Sequence, residues 1–373
     1  MHPEFPHHDI IHLNHAAVGP WPLRTAEAVA SFARENTVTG SLHYGAWLKV
    51  EEAARALARD LLGAAAAGDV AFLKNTSEAL SIVAFGLPWS PGQNVVIPRG
   101  EFPSNRIVWI KAAERFGLEV REVELPFDEP EAALLAACDR HTALLSCSAV
   151  QFASGLRMDL ERLGSALRRR GVLFCVDAIQ HLGALPFDVQ GAQADFVMAD
   201  AHKWLLAPEG IAVFYVRPEV RERLTLQEYG WHMLADAGDY STYELTEARD
   251  ARRFEPGSPN LVGIHALHAS LSLLLEVGME AIASDIEARW QHLHAGLHRL
   301  DCRVVTPADP KRHAGILTFL PSRGGTESLF RALQQRRVLC AQRGGGIRFS
   351  PHFYLPYEAL DKALAAMAED MGG

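Results

Sequence analysis

The sequence predicts an α/β protein: a large domain on a mainly parallel seven-stranded sheet, then a small C-terminal α+β domain. Three observations carry this. Apolar runs alternate with helical patterns from about residue 45 to 216, the pattern of βα units on a parallel sheet. The runs have the apolar character of strands covered on both faces. Beyond residue 260 the alternation gives way to two long helical patterns and then short mixed elements.

In chain order, MHPEFPHHDIIHLNH opens an N-terminal segment over residues 1–20 that packs near the site. The large domain spans 21–260. Its strands are predicted at 70–74, 94–98, 119–123, 143–146, 173–176, 196–199 and 211–216. Its helices are predicted at 46–62, 78–85, 106–116, 129–137 and 160–170. The pattern breaks near R253-FEPGSPN-260, where Pro and Gly interrupt it. The small domain, 261–373, opens with helices at 261–276 and 279–299. The stretches 316–319, 325–336, 346–350 and 357–371 complete it.

Bulk properties exclude several classes. Of 373 residues, 49% are hydrophobic, enough for a sizeable core. The net charge of −9 argues against a nucleic-acid partner, which needs a basic face. No apolar run is long enough to span a bilayer, and no signal peptide is visible. The five cysteines, Cys138, Cys147, Cys175, Cys302 and Cys340, form no CxxC pair and read as reduced thiols of a cytoplasmic protein. His2, His7, His8, His12 and His15 match no zinc spacing and read as part of a mobile tail, so no metal is expected.

Five constellations could carry chemistry. In K74-NTSEAL-80, Asn75 caps a helix with Glu78 three residues on, which places Thr76 and Ser77 at a helix N-terminus suited to an anion. Alone, this is an ordinary capped helix. Asp177 ends an apolar strand, where open α/β sheets place ligand groups, with Gln180 close behind. Lys203 follows a strand in Asp200-Ala201-His202-Lys203 and precedes Trp204-Leu205-Leu206. A lysine and a carboxylate at buried strand ends are costly unless something pairs with them. Pyridoxal 5′-phosphate (PLP) would pair with both: its aldehyde bonds a lysine and its pyridine nitrogen wants an acid. Gly257 and Ser258 could present donors to a phosphate, or simply form a turn. In R343-GGGIRFSPHFYLP-356, Arg348 could grip a carboxylate bidentately, or lie at the surface of a glycine hairpin.

The order of these signals resembles the class V aminotransferase family of fold-type I PLP enzymes, which includes cysteine desulfurases, kynureninase and isopenicillin N epimerase-like proteins. The motifs VDAIQ and ADAHKWLLAPEG carry the resemblance, which runs from I11-HLNHAAVGP-20 to about Asp361. It implies that Lys203 is the Schiff-base lysine, that Asp177 partners the pyridine nitrogen, and that Gln180 donates to the ring's phenolic oxygen. It implies phosphate contacts from Thr76, Ser77 and His202. Asp200 stands where relatives carry a neutral phosphate ligand. Ser258 matches a hydroxyl given to the neighbouring subunit's phosphate, and His43 resembles a histidine donated across the dimer, so a homodimer with shared sites follows. Arg348 matches the carboxylate-binding arginine. Phe102 stands where desulfurases stack a histidine on the ring and kynureninase a phenylalanine. A desulfurase needs a nucleophilic cysteine on a mobile loop. Cys340 is the nearby candidate, and its apolar neighbours make it structural.

The chemistry implied is proton removal from Cα of a small amino acid by Lys203, followed by transamination or by C–S or Cβ cleavage. The alternatives are an isopenicillin N epimerase-like reaction, cysteine desulfuration, a PLP-binding regulatory protein without turnover, and an α/β binding module without PLP.

Overall fold

The computed structural model describes residues 2–6, 9–241 and 245–372. The chain begins with β1 (Ile11–His12), α1 (Leu23–Thr39) and α2 (Tyr44–Leu62). It continues through β2 (Val70–Leu73), α3 (Thr76–Gly86), β3 (Asn94–Pro98), α4 (Pro103–Phe116), β4 (Glu119–Val123), α5 (Pro130–Ala137), β5 (Thr142–Ser148), α6 (Leu160–Arg169), β6 (Leu173–Asp177), β7 (Phe196–Asp200) and β8 (Ala212–Val216). After α7 (Pro218–Arg221), α8 (Leu261–Val277) and α9 (Met279–Arg299) come β9 (Arg303–Val304), β10 (Leu317–Leu320), α10 (Thr326–Gln335), β11 (Val338–Leu339), β12 (Ala341–Arg343), β13 (Gly346–Phe349) and α11 (Tyr357–Gly372).

The seven-stranded sheet has the order β2-β8-β7-β6-β5-β3-β4. All neighbours run parallel except β8, which is antiparallel to both β2 and β7. Alternation along each strand divides its residues between two cores. Val70, Val96, Leu145, Phe174, Val176 and Val197 face α2 and α8. Ala71, Val95, Leu144, Cys175, Phe196 and Met198 face α3 and α4. Both faces are therefore apolar, which is why the strands read as unbroken hydrophobic runs.

Two helices start earlier than the pattern suggests, because their caps lie upstream of the apolar residues. Asn75 accepts from the Glu78 N–H at 2.9 Å. The return arm of the capping box reaches one residue further back, where Glu78 accepts from the Lys74 N–H at 2.6 Å. Pro103 starts α4 at its first turn, where a missing N–H costs nothing. Helix α1 has no announcement in the sequence. Thr25 is its one fully buried residue, so it carries no apolar stripe. It lies against α8. Helix α8 follows the expected boundary at residue 260, yet its Ile264, Leu267, Leu271 and Leu274 share a core with Ala54, Ala58 and Leu61 of α2. No single helix among the described residues is long and apolar enough to cross a membrane.

The four-stranded sheet β12-β13-β10-β9 carries α9, α10 and α11 around a separate cluster that includes Trp290, Leu317, Phe319 and Phe349. Leu13, from the other end of the chain, is buried in it.

The mobile-tail reading of the N-terminus needs correcting. His7 and His8 lie outside the described residues. His15 is fully buried, β1 pairs in parallel with β11, and Ser350 N donates to the Leu13 carbonyl at 2.9 Å. Of the described histidines, His2, His12 and His15 each pack against another ring, and His15 is hydrogen-bonded at both nitrogens. The segment then runs across the 201–207 loop: Gly19 N donates to the His202 carbonyl at 2.7 Å. A Cβ at Gly19 would stand 2.4 Å from the Lys203 carbonyl oxygen, which forces a shift of one backbone or the other. Gly19→Ala will therefore lower the unfolding free energy by about 1–3 kcal/mol. Urea midpoints check this, with Val18→Ala at the exposed neighbour as the control that leaves the midpoint unchanged.

Candidate active site

Strands β6 and β7 are adjacent and parallel, so their carboxyl ends deliver Asp177 and Asp200 to one edge of the sheet. Lys203 lies on the loop that follows β7. Four consecutive carbonyls of that loop have donors. His202 O takes Gly19 N, Lys203 O takes Leu206 N at 3.2 Å, Trp204 O takes the His352 ring at 3.1 Å, and Leu205 O takes the Ser270 hydroxyl. Leu206 sits in the left-handed region at φ 57°, a strained setting for a branched side chain held by its buried surroundings. Gly183, at φ 91°, completes the enclosure, since a Cβ there would lie 2.3 Å from Trp204 O.

The Lys203 side chain is 8% exposed. Among the described residues its amine has no hydrogen-bond or ion-pair partner, and it stands 5.6 Å from the centroid of the Phe102 ring. Burial pulls its pKa down to about 8, with the Asp177 and Asp200 charges opposing and Arg348 adding to the fall.

Asp177 is buried and accepts from the Asn105 amide at 2.7 Å and from Ile179 N at 3.0 Å. Burial pushes its pKa up, while these two donors and Lys203 pull it back. Gln180 donates to the Ala16 carbonyl at 3.0 Å and accepts the Trp204 indole N–H at 2.8 Å. One amide hydrogen of Gln180 stays available.

On the other side of Lys203, Thr76 accepts from Asp200 N at 3.1 Å, which leaves the Thr76 hydroxyl hydrogen free to donate. Ser77 donates to Ser104 at 2.8 Å. Asp200 Oδ1 is buried and has no partner among the described residues. Burial raises its pKa to about 7, so near neutrality it is often a carboxylic acid and a donor rather than a repelling charge. His202 lies 3.8 Å from Asp200 and is held neutral by burial and by Lys203, with a pKa near 4.

Arg348, on β13, is 2% exposed and donates to the Phe152 carbonyl at 2.8 Å. Its Nε is buried and has no partner among the described residues. Burial, then Arg343, disfavours its charge, yet a guanidinium stays protonated, so the site calls for an anion. Phe102 is 42% exposed and meets Phe152 edge-on at 5.3 Å.

The structure thus gathers Thr76, Phe102, Asp177, Asp200, His202, Lys203 and Arg348 through the contacts and charge interactions above, with Ser77 and Gln180 beside them. It does not bring in Ser258 or His43. Both are exposed within this chain. Cys340 is buried, contacts Gln334 at 3.8 Å, and is pushed up to about 12 by burial.

Sequence reasoning missed Glu101 and Asn105, which flank Phe102, and a buried imidazole group behind the lysine loop. His15 bonds the Tyr354 hydroxyl at 2.6 Å and the Ser350 carbonyl at 2.8 Å, and His352 packs between His15 and Trp204. The available signal was the spacing of Asn105 from Glu101, which puts both on one side of a helix start.

The sequence model of the family described as Aminotransferase class-V matches residues 11–350. A probable cysteine desulfurase of Methanothermobacter thermautotrophicus is 29% identical over 391 residues, covering 98% of this chain and 95% of that protein. A Bacillus subtilis protein described as the uncharacterized aminotransferase YcbU is 28% identical over 307 residues, covering 80% and 78%. The apo cysteine desulfurase of Thermococcus onnurineus NA1 is similar in structure, with a TM-score of 0.87 at 24% identity over 98% of this chain and 95% of that one. The cystine C–S lyase C-DES, in complex with its product cysteine persulfide, has a TM-score of 0.90 at 21% identity over 96% and 97%. At these identities the structural likenesses establish the fold.

The buried imidazoles have a consequence for acid stability. His352 accepts the Phe353 N–H at 2.9 Å and donates to Trp204 O, so both ring nitrogens are used in the neutral form. Burial holds its folded pKa down to about 3. The unfolded value is about 6.5. Between the two, the unfolded chain binds one more proton, so this histidine costs stability as pH falls through that window. His352→Gln will make the slope of unfolding free energy against pH shallower by about 1.4 kcal/mol per pH unit between about pH 5.5 and 4. Urea titrations across that range check it.

Proposed function

This chain belongs to the aminotransferase class-V family of PLP-dependent enzymes, and within it we propose a C–S lyase. It acts on a small sulfur amino acid and releases the sulfur with the leaving group rather than passing it to a protein cysteine. The state of the thiols carries this reading. Cys147, Cys175, Cys302 and Cys340 are buried and Cys138 is half-buried. Cys340, six residues before the start of β13, lies in an apolar cluster with its thiolate disfavoured by burial. A thiol in that state is a poor sulfur acceptor. The cysteine desulfurases and the cystine lyase among the similar proteins support C–S chemistry.

Three observations support the fit to PLP: the unpartnered buried amine of Lys203, the exposed face of Phe102 beside it, and the orphaned Asp200 Oδ1 near the N-terminus of α3. Asp177 would partner the pyridine nitrogen. Thr76, Ser77, His202 and the neutral form of Asp200 would hold the phosphate, helped by the positive end of α3. Bound PLP supplies an electron sink for a carbanion at the substrate Cα.

The residues would then act as follows. Arg348 takes the substrate α-carboxylate through its free guanidinium edge. That fixes the Cα–H bond toward Lys203. With a pKa near 8, the amine has an accessible neutral form that takes the proton as general base. Phe102 covers the ring without bringing an acid or base of its own. The Cβ–S electrons leave with sulfur, and the unsaturated amino acid left behind hydrolyses to pyruvate and ammonia.

Incubating the holoenzyme with cystine and with cysteine tests the reading. Pyruvate, ammonia and a sulfide or persulfide product are expected, and Cys340→Ser will turn over within about twofold of the parent. A persulfide on Cys340 would overturn the proposal in favour of desulfuration. Amino transfer to an added keto acid without pyruvate would overturn it in favour of transamination.

The same proposal includes a homodimer with shared sites, in which Ser258 and His43 serve the partner's site. Their exposure within one chain supports it. Mixing inactive Lys203→Ala with inactive Ser258→Asp will restore part of the activity after subunit exchange, because one site of the heterodimer is then free of both lesions. No recovery despite proven exchange would refute the shared site.

A further inference from the structure

The segment between β3 and α4 does more than carry Phe102. Glu101 is 6% exposed, and among the described residues it has no ion pair. Four donors converge on its carboxylate. Oε1 accepts from Ser148 N at 2.7 Å and from the Gln151 amide at 2.8 Å. Oε2 accepts from the Ser148 hydroxyl and, at 3.5 Å, from the Asn105 amide. Each partner can donate at once to an ionised carboxylate.

Asn105 links this group to Asp177. Its amide nitrogen donates to Asp177 Oδ2 at 2.7 Å and lies 3.3 Å from the Ser148 hydroxyl oxygen. Its own Oδ1 is buried and has no partner among the described residues. The oxygen therefore does not set the orientation of the amide. Its NH2 end does, held between Asp177 and the Ser148–Glu101 pair. Ser148 spends its hydroxyl hydrogen on Glu101 and so has only lone pairs to offer Asn105. A flipped Asn105 would set its oxygen against the Asp177 carboxylate and lose every contact.

We propose that Glu101 is a positioning residue for the cofactor site, an ionised carboxylate that orients Asn105 through Ser148 and places a second negative charge behind Asp177. The pair of buried carboxylates favours a protonated ring nitrogen more strongly than Asp177 alone. The two charges repel each other, which raises the pKa of Glu101 further beyond the effect of its burial. A proton on the ring nitrogen relieves that repulsion, so cofactor binding and the ionisation of Glu101 support one another. The inference rests on the assignment of Asp177 as the partner of the pyridine nitrogen.

Reconstitution of apo protein with PLP provides the test, using the parent, Glu101→Gln, Glu101→Asp, Ser148→Ala and Asp177→Asn. The readouts are the PLP dissociation constant, the pH at which the bound cofactor's visible band changes, and the thermal midpoint of the apo chain. Glu101→Gln will weaken PLP roughly tenfold, the order expected for losing one charge near a buried site, and will shift the band's pH transition in the same direction as Asp177→Asn. Glu101→Asp will recover part of both effects. Ser148→Ala, which keeps the charge and removes the relay, will move the same readouts by a smaller amount and stands in if Glu101→Gln does not fold. Parental PLP affinity and an unmoved band in folded Glu101→Gln, or in Ser148→Ala where it stands in, would overturn the proposal. If Asp177→Asn also leaves the band unmoved, the assignment of Asp177 fails and takes this inference with it. A shift with Asp177→Asn but not with Glu101→Gln defeats the Glu101 inference alone.

Discussion

A lysine amine held out of water without a partner is the constraint on which the other features depend. Desolvating an ammonium is expensive, and among the described residues no hydrogen bond or ion pair offsets it at Lys203, only the more distant charges of Asp177 and Asp200. The cost is sustained because the loop beneath the amine has little freedom to move. Carbonyls 202, 204 and 205 are each taken by a distant part of the chain, carbonyl 203 is taken within the loop, and two glycines press on the backbone where a methyl group would collide. The loop cannot swing the amine out to solvent without breaking several buried hydrogen bonds, each costly to leave unmade.

Charge around the amine follows from that rigidity. Asp177 and Asp200 stand at neighbouring strand ends because the sheet is parallel there, and each is desolvated in turn. Arg348 adds a buried cation from β13. The result is a buried site in which acids are pushed toward neutrality and the base toward deprotonation. Side chains poised near their own pKa can exchange protons at modest cost. The buried cysteines play no part in this. Their burial pushes their pKa values upward, the opposite of what a reactive thiol needs.

How much of this was legible in one dimension depended on distance along the chain. Lys203, Asp177 and the α3 cap were readable because each couples a strand end to the residues that immediately follow it. Arg348 was readable from its short apolar run. The packed N-terminus was not, because its partners are β11 and Ser350, far along the chain, and a run of histidines looks polar until its burial is known. Helix α1 has too few buried positions to show a period. The link from Glu101 to Asp177 crosses three strand ends and leaves no periodic trace. Ser258 and His43 belong to surfaces that a single chain does not complete.

The closure of the N-terminal segment on β11 and Ser350 also orders events during synthesis. Residues 11–19 emerge from the ribosome more than 300 residues before the strand they pair with. Through most of translation the βα sheet can assemble, but the Lys203 loop lacks its His352 contact, and the segment that carries Gly19 lacks its pairing with β11. Both arrive only when the C-terminal strands have left the exit tunnel and met the waiting segment. The nascent chain therefore has the strands of the seven-stranded sheet long before the Lys203 loop has all of its contacts. A truncated product, ending before β11, would keep the most recognisable motifs of the sequence without the clamp that gives them their chemistry.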